Sequence, residues 1–322
     1  MLNILQITFP FFALVLAGYL AAHRRLLPLD AIAGLNSFVL FFALPCMLYR
    51  FGAGTPIMQL LDGTLFVAYL LCALLMVAFA VATSLNARIG WNDAAFGALV
   101  AAFPNTGFMG VPLLVALLGN AAAGPAIVTI TCDMLVTTSL CIALSRLDGA
   151  DEHGAAKAAK NALRGVLTNP MPWAIILGAL SSALEFELAG PVGKTVSLLA
   201  DAASPVALFT IGAVLARSQI QVKESGHAPI LLRDYLPVAL LKLLLHPALV
   251  LLVLSTARHW GFEIEPFTLV CVVLVAALPS ASNVALLSER FGADTGRIAR
   301  IILVTTAAAF LTFSGAVALL RG

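Results

Sequence analysis

Pro104-Asn105-Thr106-Gly107-Phe108-Met109-Gly110-Val111-Pro112 interrupts an otherwise apolar run between residues 93 and 118. Each proline removes a backbone donor and displaces the carbonyl four residues back. The two glycines admit close approach to the backbone. In hydrocarbon an unpaired backbone group costs several kcal/mol, so irregular backbone survives there only against protein or beside a wet cavity. Whether this run lies in hydrocarbon is answered by composition. Of 322 residues, 61% are hydrophobic and only 11% charged, and the mean hydropathy is +1.03. Globular domains carry roughly 25% charged residues. These values exclude disorder, a coiled coil and an ordinary soluble enzyme, and leave an all-α polytopic membrane protein. The net charge of +2 points to no nucleic-acid partner.

A helix crossing ~30 Å of hydrocarbon needs about 20 residues. Hydropathy predicts ten such spans: 4–22, 32–49, 64–83, 93–118, 125–145, 169–188, 195–216, 235–256, 266–288 and 298–320. No Lys or Arg precedes the first, which therefore reads as a span and not as a cleaved signal. Arg24, Arg25, Arg88, Arg146, Lys157, Lys160, Arg164, Arg217, Lys223, Arg233, Arg290, Arg297 and Arg300 all fall in odd-numbered loops or at their edges, whereas Arg50, Lys194, Arg258 and Arg321 fall on the other side. Positive charge collects on cytoplasmic loops, so both termini are expected outside and the central segment 146–168 inside. Residues 154–164 of that segment read as a plain connector or a surface helix.

The two halves match each other. A shift of 160 positions brings Pro10 onto Pro170, Gly18 onto Gly178, Pro45 onto Pro205 and Gly52 onto Gly212. A shift of 175 brings residues 99–104 onto 274–279, with only Phe103 and Leu278 differing. Five spans per half is an odd number, so the second copy enters the membrane in the opposite sense. The expected architecture is a 5+5 inverted repeat, residues 1–145 and 169–322. Pro104 and Pro279 fall about 16–20 Å into spans four and nine at the helical rise, close to the bilayer centre. Matched interruptions of this kind point to a transport site. The candidate substrate-binding residues are accordingly Asn105, Thr106 and Gly107 after the first break, and Ser280, Ser282 and Asn283 after the second. Exposed amides at the start of each second half-helix suit an anion, and the freed carbonyls equally suit a small cation.

The motifs Asn105–Pro112 and Pro279–Asn283 resemble those of the auxin efflux carrier family of plant and bacterial transporters, and the resemblance extends over essentially the whole chain. It implies a fold like that of bile-acid/sodium symporters, with spans four and nine as crossing broken helices. Spans one, two, six and seven would form a scaffold and the other six a transport core. It further implies a small organic anion as cargo (auxin in plants, malonate or malate in bacterial members) and places substrate beside Asn105 and Asn283.

Ionisable groups inside the membrane are costly and mark function. Asp133 in span five reads as a proton or sodium site, as a partner for Lys242, or as an interhelical hydrogen-bonding group. Lys242 and His246 share one face of span eight. Lys242 either offsets a carboxylate substrate or extends to the nearby interface, and His246 reads as a proton-linked switch or a bonded core histidine. Asp201 reads as a vestibule or structural residue, and Asp62 as a helix cap. Cys46, Cys72, Cys132, Cys141 and Cys271 lie in apolar stretches without a paired motif and read as small core residues. No metal, cofactor or nucleotide motif is present in the sequence, and the candidate coupling ions are H+ and Na+. The expected protein is a secondary transporter or uniporter of a small organic anion in a bacterial inner membrane, in contact with lipid and able to pair through its scaffold helices. A sodium-coupled symporter of the bile-acid type is the alternative. An intramembrane enzyme would need clustered acids or histidines at the water interface.

Overall fold

A computed structural model describes residues 2–60, 62–147, 170–224 and 231–321. The connector 146–168, with its possible surface helix over 154–164, lies almost wholly outside the described residues. Those described form twelve principal helices: α1 (Leu2–His23), α2 (Ala31–Ala53), α3 (Gly63–Ser84), α4 (Trp91–Ala102), α5 (Thr106–Leu118), α6 (Asn120–Leu144), α7 (Pro170–Ala183), α8 (Gly190–Glu224), α9 (Leu232–His259), α10 (Pro266–Ala276), α11 (Asn283–Arg290) and α12 (Thr295–Arg321). The only extended pairings among them are two isolated bridges, Asn86 with Ile89 and Pro104 with Ser280.

Seven helices are long and apolar enough to cross a bilayer by themselves. The sequence led us to expect ten spans, and the difference has local causes. Expected spans four and nine are each split at a proline into two shorter helices, α4–α5 and α10–α11. Expected span six is the 14-residue α7, which ends at Ala183 ahead of a turn in which Glu185 takes φ 49°. Large apolar side chains such as Phe9, Phe41, Leu177 and Leu180 are exposed on the outside of the bundle. In water that surface would be a liability, whereas against lipid tails it is the ordinary exterior.

Three helices contain a widened π turn directly before a proline: residues Val39–Ala43 before Pro45, Thr106–Gly110 before Pro112, and Leu241–Leu245 before Pro247. A proline ring collides with the carbonyl four residues back. Inserting one extra residue in that turn moves the carbonyl aside and lets the helix continue. A fourth π turn, Asp133–Thr137, has no proline. There the Asp133 carbonyl accepts both the Thr138 amide and, at 2.8 Å, the Thr138 hydroxyl. Turns of this kind often mark functional positions, and two of these four carry Asp133 and Lys242.

Close helix contacts lie at glycines. A Cβ on Gly18 of α1 would stand 1.8 Å from the Phe209 carbonyl oxygen of α8, and one on Gly212 of α8 would stand 1.9 Å from the Val15 oxygen of α1. One on Gly178 of α7 would stand 2.6 Å from the Tyr49 oxygen of α2, and one on Gly52 of α2 would meet Gly178 in turn. The Tyr19 hydroxyl donates to Gln219 Oε1 at 2.6 Å across α1 and α8, and the hydroxyls of Tyr49 and Ser181 bond at 2.9 Å across α2 and α7. Arg50 and Asp201 pair at 2.6 Å between α2 and α8, largely in solvent, so Asp201 has a structural bond of modest strength. Asp62 caps α3, its carboxylate accepting from the Leu65 amide at 2.8 Å.

Arg297 departs from its sequence reading as a loop-edge charge. It is buried at the start of α12, where Nε donates to the Asp234 carbonyl at 2.7 Å and Nη1 to the Asp93 carbonyl at 2.8 Å. The guanidinium thereby ties the first turns of α4, α9 and α12 together. Gly97 leaves room for it, because a Cβ there would lie 2.8 Å from Nη1. Replacing Arg297 with methionine removes both bonds that tie α12 to α4 and α9, and a loss of about 2–4 kcal/mol is expected. Thermal unfolding of the purified protein in detergent measures it.

Candidate functional site

The two helix breaks meet. Helix α4 stops at Ala102 because a residue before proline is driven out of the helical region. Phe103 accordingly has φ −94° and ψ 106°. Helix α10 ends at Ala276, three residues before Pro279. The extended segments around Pro104 and Ser280 run antiparallel: the Asn105 amide donates to the Pro279 oxygen at 2.8 Å, and the Ala281 amide donates to the Phe103 oxygen at 2.9 Å. Neither bond calls on a proline nitrogen. Backbone groups freed by the breaks are thus satisfied by each other, which is the condition for irregular backbone inside a membrane.

The predicted binding residues divide around this crossing. Pro104, Asn105, Gly107 and Asn283 line one small cavity together with Phe108 and Met134. Ser282 lines a second, with Asn36 of α2, Thr210 of α8 and again Phe108. Each holds only about 10 Å³, room for one water at most. Phe108 borders both. Thr106 is fully buried, its hydroxyl directed at the Pro104 carbonyl at a weak 3.5 Å. Ser280 turns the other way, toward α12: its amide donates to the Thr305 hydroxyl at 3.3 Å, and its own buried hydroxyl has no hydrogen-bond partner among the described residues. Asn36, Thr210 and Phe108 were not among the predicted binding residues. A polar side chain within an apolar span was the available signal for the first two.

Behind the crossing lies a second polar group, wholly buried. Asp133 Oδ2 accepts from the Tyr69 hydroxyl at 2.9 Å, and Oδ1 accepts from the Thr137 hydroxyl at 3.0 Å. The Tyr69 ring centroid lies 6.3 Å from that of His246. His246 Nδ1 is 2.9 Å from Lys242 Nζ, which also donates to the Ala276 carbonyl at 2.8 Å. Lys242 therefore does not extend to the interface; it is fully buried and holds the last residue of α10 before the break. An ammonium only donates, so His246 accepts at Nδ1 and carries its proton on Nε2. That buried Nε2 has no hydrogen-bond partner among the described residues. Among the described residues Asp133 and Lys242 make no direct ion pair; Tyr69 of α3 bonds Asp133 and lies beside His246, which in turn bonds Lys242 on α9. Ile130 and Met134, beside Asp133 on α6, line the cavity that contains Asn105. Tyr69, absent from the predicted set, joins the two halves of this group.

Comparison with known proteins places the chain as a whole. Residues 4–317 match the family described as "Membrane transport protein". Among relatives, a Rhizobium meliloti protein named "Putative malonate transporter" is 29% identical over 100% of this chain and 97% of its own length. The "Uncharacterized transporter YfdV" of Escherichia coli K12 is 27% identical over 89% of this chain and 88% of its own. "Auxin efflux carrier component 8" of Arabidopsis thaliana is 22% identical, with 86% of each chain covered. These are transporters and not enzymes. A multi-pass helical chain matched over nearly its full length by one family leaves a single assignment: this protein belongs to the membrane transport protein family of auxin efflux carriers.

Proposed function

We propose that this chain is a secondary carrier for a small organic anion, a mono- or dicarboxylate such as malonate, working by alternating access in a bacterial inner membrane. The antiparallel pairing of two proline-broken segments is the observation that carries the reading. It brings Asn105 and Asn283 to one cavity at the first turns of α5 and α11, where amide groups and the helix dipoles favour negative charge. Asn105, Thr106, Gly107, Ser282 and Asn283 would hold the carboxylate. Ser280 would brace the site from the α12 side.

Ten crossing segments in two inverted halves are part of the proposal, and the glycine contacts support it. Gly18 and Gly212 mark one close crossing, Gly178 and Gly52 another. The 160-position shift carries Gly18 to Gly178 and Gly52 to Gly212, so it exchanges the two contacts as a two-fold axis would. Helices α1, α2, α7 and α8 would then be the scaffold. The outward Ile176, Leu177 and Leu180 of α7 form an apolar face for lipid or a second copy. Both cavities at the crossing are too small for a carboxylate, so cargo enters only when the core moves against that scaffold.

A thermal-shift panel of mono- and dicarboxylates on purified protein tests the site. At least one carboxylate is expected to raise Tm by several degrees, and Asn105→Ala is expected to reduce that rise by more than half while changing ligand-free Tm little. Equal stabilisation of variant and wild type would remove Asn105 from the site.

A further inference from the structure

We infer that the buried Tyr69–Asp133–His246–Lys242 group is a proton site coupled to the anion at the crossing, so that one proton travels with each anion. The inference rests on the carrier reading above and specifies its coupling ion.

Charge balance comes first. Asp133 and Lys242 are both fully buried and together contribute no net charge when both are ionised. A buried uncompensated charge is costly. A singly charged anion at the crossing, a monocarboxylate or a dicarboxylate such as malonate entering as its monoanion, adds one, since Asn105, Asn283 and Phe108 bring no cation to it. Protonation of the Asp133 carboxylate restores neutrality: Lys242 remains positive, bonded to the Ala276 carbonyl at the end of α10, and offsets the charge of the bound anion. The proton goes onto Oδ2, and the Tyr69 hydroxyl, which donates to that oxygen at 2.9 Å, turns to accept from it. No bond other than O–H forms or breaks, and the same proton leaves on the other side with the anion.

The connection to the crossing is structural as well. Lys242 bonds the Ala276 carbonyl at 2.8 Å, at the end of the half-helix that leads into Pro279. Met134, next to Asp133, lines the cavity of Asn105. The group therefore bonds the end of one broken helix directly and reaches the cavity at the other break through Met134, without lining that cavity itself.

The donor set selects a proton over sodium. A hard cation takes about six oxygen ligands. Both Asp133 oxygens already accept hydroxyl bonds, and the other titratable or charged groups facing the site are the thiols of Cys72 on α3 and Cys132 and Cys141 on α6, with Lys242 and His246 on α9. Thiols and an ammonium are poor company for sodium. The unpartnered N–H of His246 Nε2 gives the group an additional proton donor. Water comes close on one side. A cavity of about 790 Å³, bordered by Asp62, Leu65, Pro125, Arg258, Glu263 and Thr268, opens at one end of α3, α6 and α10. Leu65 is one helical turn from Tyr69. By the distribution of positive charge, that end faces outward.

The test is radiolabelled malonate uptake into proteoliposomes under an imposed pH gradient, and separately under a sodium gradient at equal pH. Wild type is expected to take up malonate at least fivefold faster with the outside one unit more acidic, and to ignore sodium. Asp133→Asn is expected to lose at least 90% of the pH-driven accumulation while malonate still raises its Tm. Tyr69→Phe, which keeps the packing, is expected to move the pH profile of uptake by half a unit or more, and serves should the asparagine variant fail to fold. Uptake indifferent to the pH gradient, dependence on sodium, or pH-driven accumulation intact in both variants would overturn the proton site while leaving the carrier reading in place. Absence of any carboxylate effect on wild-type Tm, with no uptake, would instead overturn the carrier reading beneath it.

Discussion

Lys242→Met is expected to lower unfolding stability by about 3–5 kcal/mol and to cut anion uptake at least tenfold, because removing one member of a buried charged pair leaves the other uncompensated. Lys242 is fully buried and holds both the Ala276 carbonyl and His246 Nδ1. Without it the end of α10 loses a donor next to the helix break, and Asp133, left with no opposing charge on its neighbours, stays buried only at the cost of holding a proton permanently. The double variant Asp133→Asn/Lys242→Met removes both charges. It is expected to regain at least half of the lost stability, since groups in one network are not additive, yet to remain inactive. Thermal unfolding gives the first quantity, and uptake normalised to folded protein gives the second. Wild-type stability in Lys242→Met would mean that the lysine bears no structural charge.

A comparable loss is expected from Gly212→Leu, by steric means alone. Even a Cβ at this position would stand 1.9 Å from the Val15 oxygen and 2.6 Å from the Tyr19 nitrogen, both backbone atoms that no rotamer change can relieve. Overpacking a core usually costs about 1–3 kcal/mol, and here two whole helices must separate. The expected result is aggregated or unrecoverable protein on size exclusion. Gly34→Leu is the control. A Cβ there meets nothing within 4 Å, so its elution profile and Tm are expected to match wild type.

The parts of the structure that were legible in advance are those written in the backbone. Prolines and capping carboxylates act on the residues beside them, so the breaks at Pro104 and Pro279 and the cap at Asp62 follow from local rules; Gly18 and Gly212 were legible only as members of the repeat, and their contacts with Phe209 and Val15 needed the fold. The antiparallel pairing of the two breaks joins residues 176 apart, and only the fold brings them together. The same holds for the buried polar group. Asp133, Lys242 and His246 were conspicuous as ionisable residues in apolar helices. Tyr69 was not, because a tyrosine in a span is ordinary, and its bond to Asp133 crosses 64 positions. Arg297 was misread for a related reason. A charge at a helix start resembles a solvated flank until the carbonyls of Asp93 and Asp234 are seen to converge on it. Phe108 was given no role of its own within the quoted motif, and it borders both cavities at the crossing.

A structure of the purified protein with malonate bound is the most direct test of where cargo sits. The expected density lies between Asn105 and Asn283, with carboxylate oxygens within about 3.2 Å of their side-chain amides and of the first amides of α5 or α11. Density elsewhere would contradict it, for instance in the 270 Å³ cavity lined by Gln219, Tyr235 and Arg300, with Pro104 and Ser280 still paired and the crossing empty.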